Sequence, residues 1–228
     1  MSIRTRLSGG ERREAIIFAA RRAFAEKGFH GATTRELASE AGVSEALLFK
    51  HFPNKEAIYD AMLESCRKTD FANEYHRLLA LESSTSTLVL TLHFLLSRTI
   101  HGDTEIKLFH RLMLRSMCED GVFAGLLFKK ASQMLVPKIR ECVDAAARAG
   151  ETRNGADTLK NAGWLAQHLV LMVAFMQVPE HCLVEYKGSK DKWIEEGVVF
   201  CLRGLGLSDQ AIARHYNPRA LQLLASPM

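Results

Sequence analysis

The feature that most constrains this chain is a close succession of helix-stop and helix-start signals in its first quarter. Gly28 is expected to end a helix over residues 11–27. Thr33 and Glu36 then have the spacing of a capping box, which starts a short second helix. Gly42 is placed to take the left-handed conformation that ends this second helix.

A third helix is predicted almost immediately afterwards, because the hydroxyl of Ser44 can cap it. Pro53 ends the third helix, and Asn54 can cap a fourth over residues 55–66. Two short helices joined by a tight glycine-containing turn, with a longer helix in front, form a helix-turn-helix, whose second short helix enters the major groove of DNA. The fourth helix has one apolar face, made of Ile58, Met62 and Cys66.

The distribution of charge also points to nucleic acid. The net charge is +4, and residues 1–55 contain ten Lys and Arg against six Asp and Glu, a surplus equal to the whole net charge. A basic surplus confined to one region is typical of a segment that binds an anion, with nucleic acid the leading candidate. A chance surplus on a solvated surface is the alternative.

The same residues carry a resemblance to a known family. Residues 23–38, 41–44 and 48–57 read AFAEKGFHGATTRELA, AGVS and LFKHFPNKEA, and they resemble the DNA-binding domain of TetR-family transcriptional regulators. The resemblance implies an all-α homodimer that binds a pseudo-palindromic operator, most often as a repressor, and that a small-molecule effector releases. We expect the helix-turn-helix domain at residues 1–58 and a helical ligand-binding and dimerisation domain at 59–228.

The resemblance further implies which side chains contact DNA. Thr34 would bind a phosphate, Arg35 a phosphate or a guanine edge, and Lys55 a phosphate at the start of the fourth helix. The base-reading positions at the start of the recognition helix are Ser44, Glu45, Ala46 and Leu47. The positions on its backbone-facing side are Phe49, Lys50 and His51.

Three positions depart from the common pattern of the family. Phe49 stands where tyrosine is frequent, which removes a phenolic bond to phosphate. Leu47 stands where threonine is frequent, so the contact expected of it is an apolar one with a thymine methyl group. Glu45 stands where a basic residue is frequent, and it either accepts from a cytosine amino group or supports the helix N-terminus.

The rest of the chain is predicted to be helical, because no stretch alternates with the period of two that strands require. Pro137 lies inside one of the predicted helices and should kink or divide it. The predicted helices cover residues 70–81, 86–99, 103–118, 122–149, 156–178, 190–205 and 208–215.

Two of these helices, around residues 164–176 and 193–205, are apolar on more than one side, so each is expected to be buried from more than one side. Paired with their symmetry mates they would form a four-helix dimer interface, and its two glycines would let a neighbouring helix approach closely. The alternative is a core within one chain. The predicted interface consists of Trp164, Trp193, Gly197, Phe200 and Gly204.

Aromatic and methionine side chains in the helical body either form its core or line a cavity for an apolar effector. His168 is the candidate side chain to orient a bound effector through a single hydrogen bond. The predicted lining consists of Phe94, Met113, Met117, Trp164, His168 and Phe175.

Motifs for other chemistry are absent from the sequence. It contains no G-x-S-x-G, P-loop or H-E-x-x-H pattern, so neither an enzymatic activity nor a cofactor is expected. The body histidines share no ligand spacing, and five scattered cysteines without a C-x-x-C favour a reducing cytoplasm over a metal site or a disulfide framework. No apolar run is long enough for a membrane span. Two alternatives stay open: a structural DNA binder without a ligand, and an all-α enzyme.

Overall fold

The computed structural model describes residues 8–66, 70–153, 160–181 and 183–225. These residues confirm the predicted all-α class, because their only β-type contact is an isolated bridge between Thr152 and Leu207. The helices in this part of the chain are α1 (Gly9–Gly31), α2 (Thr34–Glu40), α3 (Glu45–His51), α4 (Lys55–Cys66), α5 (Asp70–Leu79), α6 (Thr85–Ile100), α7 (Thr104–Cys118), α8 (Val122–Gln133), α9 (Leu135–Arg148), α10 (Ala162–Met176), α11 (Lys190–Gly204), α12 (Asp209–His215) and α13 (Pro218–Ala225).

The helix predicted over residues 122–149 is divided in two. α8 ends at Gln133 and α9 begins at Leu135, so the break lies just before Pro137 rather than at it. Proline lacks a backbone N–H, and the first turn of a helix is where that donor has no intrahelical partner. Of the helix predicted over 156–178, residues 156–159 lie outside the described part of the chain. α13 was not predicted.

The described chain forms two compact units, and it passes between them within α5, α7 and α8. The first unit comprises residues 8–66, 70–74 and 108–126. The predicted domain boundary at residue 58 falls inside α4, and this unit extends beyond it. Its large, fully buried side chains are Ile16, Phe24, Leu37, Leu48, Ile58, Met62 and Met113.

The predicted caps of the short helices are confirmed. The Thr33 hydroxyl accepts from the Glu36 amide at 3.2 Å, and the Glu36 carboxylate accepts from the Thr33 amide at 3.1 Å. Gly42 is left-handed, with φ of 66°. The side chains of Ser44 and Asn54 accept from backbone amides in the first turns of α3 and α4. Each cap satisfies an amide that would otherwise lack a partner.

Gly28 interrupts the helical path as predicted, although α1 resumes and ends at Gly31. Its backbone has φ of 73° and ψ of 174°, a conformation that side chains disfavour. A Cβ built on Gly28 would lie 1.7 Å from the Oε2 atom of Glu119, so the carboxylate end of that side chain would have to move. The backbone conformation is therefore what requires glycine here.

The second unit comprises residues 75–107, 127–153, 160–181 and 183–225, and α6 is its central helix. α6 packs against α9, α10, α11 and α12 and buries most of its side chains. The core residues around it include Leu88, Leu92, Leu96, Ile139, Val198 and Leu202.

The second unit contains a cluster of polar side chains centred on Glu151. The Glu151 carboxylate accepts from the Thr85 hydroxyl at 2.5 Å and contacts the Nε2 atom of His215 at 2.7 Å. Arg214 lies 3.3 Å from the same carboxylate, and Ser86 contacts the other ring nitrogen of His215 at 3.0 Å. Hydrogen bonds from Thr85 and His215 lower the pKa of Glu151 below its ordinary value. Glu151 therefore joins the start of α6 to the end of α12.

Glu151→Gln should lower the free energy of unfolding by about 1–3 kcal/mol, because a charged acceptor with several partners is replaced by a neutral one. The folded-state pKa of Glu151 is depressed, so its contribution is present above the unfolded pKa and is lost as pH falls through the folded one. Urea unfolding at neutral and acidic pH measures the difference in unfolding free energy between Glu151→Gln and the wild type. This difference should shrink in acid. The control Glu180→Gln, at an exposed loop position, should change the unfolding free energy little at either pH. A difference that is independent of pH would contradict the charge argument.

Candidate nucleic-acid interface

The predicted recognition helix α3 has one buried and one exposed side. Leu48 and the C-cap residue Phe52 are buried in the first unit, 0% and 2% exposed. The guanidinium of Arg13 lies 4.8 Å above the centre of the Phe52 ring, which fixes that ring from outside. Of the residues predicted to face DNA from α3 and its cap, Leu47 and His51 are half-buried, and the exposed ones are Ser44, Glu45, Ala46, Phe49 and Lys50.

The start of α2 lies directly beside the start of α3. The Thr34 hydroxyl donates to the Oε1 atom of Glu45 at 2.6 Å, so the structure joins two of the predicted DNA contacts to each other. Arg35, the next residue, is exposed. The two N-termini therefore present Thr34, Arg35 and Glu45 on neighbouring positions of one surface.

Lys55 has structural partners that the sequence did not indicate. Its ammonium donates to the carbonyl oxygens of Phe29 at 2.8 Å and Ala32 at 3.1 Å. It also lies 4.6 Å above the centre of the Phe29 ring. Two of the three N–H donors of Lys55 are thus occupied by the chain that leads from α1 to α2. A phosphate contact by Lys55 stays a prediction.

A second lysine stabilises the same segment from the other side. The ammonium of Lys27 lies 2.7 Å from the Glu36 carboxylate, which also completes the capping box with Thr33. The hydrogen bond from Lys27, followed by those from Thr33, lowers the pKa of Glu36 to about 2. Glu36 therefore stays ionised and keeps both contacts throughout the physiological range.

Comparison with known proteins agrees with this geometry. Residues 16–62 match the family model described as bacterial regulatory proteins, tetR family. The first unit therefore contains a segment that is similar to TetR-family regulators. The matched segment begins within α1 and ends within α4, so it contains both helices of the helix-turn-helix and all ten predicted DNA contacts.

Two curated relatives are similar to part of this chain. The HTH-type transcriptional activator FasR of Mycolicibacterium smegmatis is 41% identical over 59 residues, which are 26% of this chain and 27% of FasR. The nucleoid occlusion factor SlmA of Photorhabdus laumondii is 36% identical over 106 residues, which are 45% of this chain and 53% of SlmA. The chain thus spans about a quarter of one relative and about half of the other.

A solved structure extends the likeness of fold beyond the matched segment. NalD of Pseudomonas aeruginosa, described as the secondary repressor of the MexAB-OprM multidrug efflux pump, superposes with a TM-score of 0.63. It is 22% identical and covers 89% of this chain and 100% of its own. At this identity the likeness concerns the fold.

The six residues predicted to line an effector cavity do not lie in one unit. Met113, which is buried, and Met117, which is 49% exposed, belong to the first unit. Phe94, Trp164, His168 and Phe175 belong to the second. The structure brings Trp164 and His168 together, with ring centres 5.8 Å apart, and adds Phe128 at 6.3 Å from Trp164 and 6.1 Å from His168.

α10 also carries a buried polar group that its sequence pattern did not indicate. His168, the predicted orienting group, is exposed. Gln167 instead has a buried side-chain oxygen with no hydrogen-bond partner among the described residues. Buried acceptors are nearly always paired in folded proteins, so the Gln167 oxygen is the better candidate for a contact with a bound molecule. A polar residue on the half-buried side of an apolar helix is the signal that would have found it.

The five residues predicted for the dimer interface have different surroundings. A Cβ on Gly197 would lie 3.1 Å from the side chain of Leu96, so α6 of the same chain approaches this glycine closely. Its place in a dimer interface stays a prediction. Trp193 stacks on Tyr186 at 3.9 Å, and Trp164 packs on Phe128. Apart from the backbone of its own helix, no atom of the described residues lies within 4 Å of a Cβ on Gly204, and Phe200 is 66% exposed.

The body histidines mostly have partners within the protein. His93 contacts the Tyr216 hydroxyl at 3.2 Å, and His101 contacts the Asp191 carboxylate at 2.8 Å. Burial lowers the pKa of His110 to about 4. Among the described residues there is no group of three His, Cys, Asp or Glu placed to hold a metal ion, and none of their helices is long and apolar enough to cross a membrane.

Lys55→Ala should lower the free energy of unfolding by about 1–3 kcal/mol, because it removes two charge-assisted hydrogen bonds and a contact with the Phe29 ring. The matched control is Lys50→Ala, which removes the same charge from an exposed position of α3. Denaturant unfolding measures both. Equal stability of the two variants would show that the carbonyl contacts of Lys55 contribute nothing measurable.

Proposed function

We propose that this chain is a dimeric, ligand-responsive regulator of transcription that binds operator DNA through α2 and α3. The observation that carries the proposal is the exposed side of α3 beside the N-terminus of α2, inside the segment that matches the TetR family. Basic and hydroxyl side chains, such as those exposed there, are of the types that contact phosphates in protein–DNA complexes. The first turn of α3 would read bases in the major groove.

The variant Arg35→Ala/Lys50→Ala should bind duplex DNA about tenfold more weakly or worse, because two phosphate-contacting cations are removed. The slope of log affinity against log salt should also become shallower, by about 0.9 for each lost phosphate contact. Fluorescence anisotropy measures both quantities with a random-sequence duplex and with duplexes that the wild-type protein selects from a random library.

The matched control for this prediction is Lys129→Ala/Arg148→Ala, which removes two exposed cations from the second unit. Its affinity and salt slope should remain close to those of the wild type. If both double variants bind like the wild type, DNA does not contact α2 and α3, and the proposed function is wrong.

The dimer is proposed to form through α10 and α11, which pack against each other in the second unit. Their exposed apolar side chains are Leu165, Met172 and Phe200, which are 59%, 56% and 66% exposed in one chain. Large exposed apolar side chains grouped on neighbouring helices mark a surface that another molecule covers. A second copy would place two recognition helices on one side of DNA, where successive major grooves are about 34–36 Å apart.

Phe200→Glu should weaken self-association at least about tenfold, because a carboxylate would be buried in an apolar interface. Sedimentation velocity over a range of concentrations measures the effect. Val122→Glu, which places the same charge on an exposed apolar position of the first unit, serves as the control and should leave association unchanged. A wild-type protein that is monomeric at micromolar concentration would rule out this interface.

The effector is proposed to bind in the second unit beside Trp164, with Phe128 supplying a further ring. The aromatic contacts favour a largely apolar molecule, and the buried oxygen of Gln167 favours one hydrogen-bond donor on it. An effector that releases DNA must bind the DNA-free arrangement more tightly, and DNA must weaken effector binding by the same factor. We propose repression as the outcome, although FasR is named as an activator and NalD as a repressor.

A second candidate function is ligand-independent DNA binding, as in a nucleoid-associated protein. The observation in its favour is that the match with the nucleoid occlusion factor SlmA covers 106 residues, whereas the match with FasR covers 59. The two functions differ in whether effector binding and DNA binding are coupled. A ligand-responsive regulator requires a compound whose affinity for the protein changes when DNA is bound, whereas a ligand-independent DNA-binding protein would have no such compound.

A further inference from the structure

We infer that Glu45 occupies the phosphate-binding hydroxyl of Thr34 in the DNA-free protein and so restrains the affinity of the domain for DNA. The inference rests on the proposed function, because it concerns the same surface of α2 and α3. It assigns Glu45 a role other than the two that its sequence position suggested, base reading and support of the helix N-terminus.

The geometry places the carboxylate where a phosphate oxygen would have to be. Thr34 is the first residue of α2, Glu45 is the first residue of α3, and their oxygens are 2.6 Å apart. That separation is typical of a hydroxyl that donates to an ionised carboxylate. An anionic oxygen of the protein is therefore bound at the hydroxyl that the family resemblance assigns to an anionic oxygen of DNA.

The hydroxyl of Thr34 cannot serve both acceptors, because it has one proton to donate. A phosphate that takes this proton must displace the Glu45 carboxylate. Binding then loses a charge-assisted hydrogen bond and leaves a negative side chain close to a negative phosphate. Both costs fall on the DNA-bound state alone, so both lower the affinity without changing the fold.

The two costs depend differently on Thr34, and that difference makes the inference testable. Loss of the hydrogen bond is a cost only while Thr34 has its hydroxyl. Repulsion between the carboxylate and phosphates persists whether or not that hydroxyl is present. A carboxylate that reads a base would behave differently, because its removal would weaken binding to the duplexes that the wild-type protein selects.

The experiment is a double-mutant cycle of Glu45→Ala and Thr34→Val, with Glu45→Gln as a second variant that keeps the length of the side chain. Binding to a random-sequence duplex is measured by anisotropy at low and moderate salt, because phosphate contacts do not depend on sequence. Circular dichroism checks that each variant is folded. Glu40→Ala, which removes an exposed carboxylate from the other end of α2, is the matched control.

We expect Glu45→Ala to tighten binding about fivefold or more at low salt, and by a clearly smaller factor when Thr34 is already Val. Glu45→Gln should tighten binding by an intermediate factor, since a neutral amide oxygen still accepts from Thr34. Glu40→Ala should produce a smaller change than Glu45→Ala, and one that Thr34→Val does not alter.

Three results would overturn the inference while the proposed function stands. They are weaker binding by Glu45→Ala, unchanged binding by Glu45→Ala, and an equal gain with and without the Thr34 hydroxyl. Failure of the proposed function looks different, because Arg35→Ala/Lys50→Ala would then bind the same duplex as tightly as the wild type.

Discussion

The DNA-binding surface depends on where the ammonium of Lys55 is held. This one group contacts the carbonyls of Phe29 and Ala32, and so it connects the end of α1 and the approach to α2 with the first residue of α4. Carbonyl groups in the last turn of a helix and just after it have no intrahelical partner and need another donor. Lys55 provides one from a residue only three positions after the buried Phe52, which ends α3. The positions of α2 and α3 are thus fixed relative to α1 by a cation that the resemblance assigns to DNA.

Local features of the fold were predictable because each is decided within a few residues. The capping box of Thr33 and Glu36, the left-handed Gly42 and the Ser44 cap depend on backbone groups three residues away or nearer. Pro137 shows the limit of this reasoning. The sequence indicates that a helix must bend or break near it, but the position of the break is set by the fit of proline to the first turn of α9.

Contacts across the chain were not predictable, since periodicity identifies the apolar side of a helix but not the neighbour that covers it. The sequence indicates that Gly197 permits close helix packing, but it does not indicate that α6 of the same chain is a neighbour. Met113 and Trp164 were assigned to one cavity because both are large and apolar, and they lie in different units. The pairing of Thr34 with Glu45 joins residues eleven positions apart in sequence, and no local rule indicates it.

The composition of the first unit gives a physical reason why residues 108–126 bear on DNA binding. This unit contains not only the helix-turn-helix but also Glu119 and Asp120. Asp120 accepts from the Tyr59 hydroxyl at 3.4 Å, and the Tyr59 ring lies edge-on to those of Phe24 and Phe29, each 5.0 Å away between centres.

Phe29 is also the residue whose carbonyl and ring hold Lys55. The contacts therefore run without interruption from Asp120, through one buried aromatic cluster, to the ammonium that fixes the positions of α2 and α3. Packed rings of this kind deform little and are displaced together. A change in the position of residues 119–120 would consequently be transmitted to the residues that position α2 and α3.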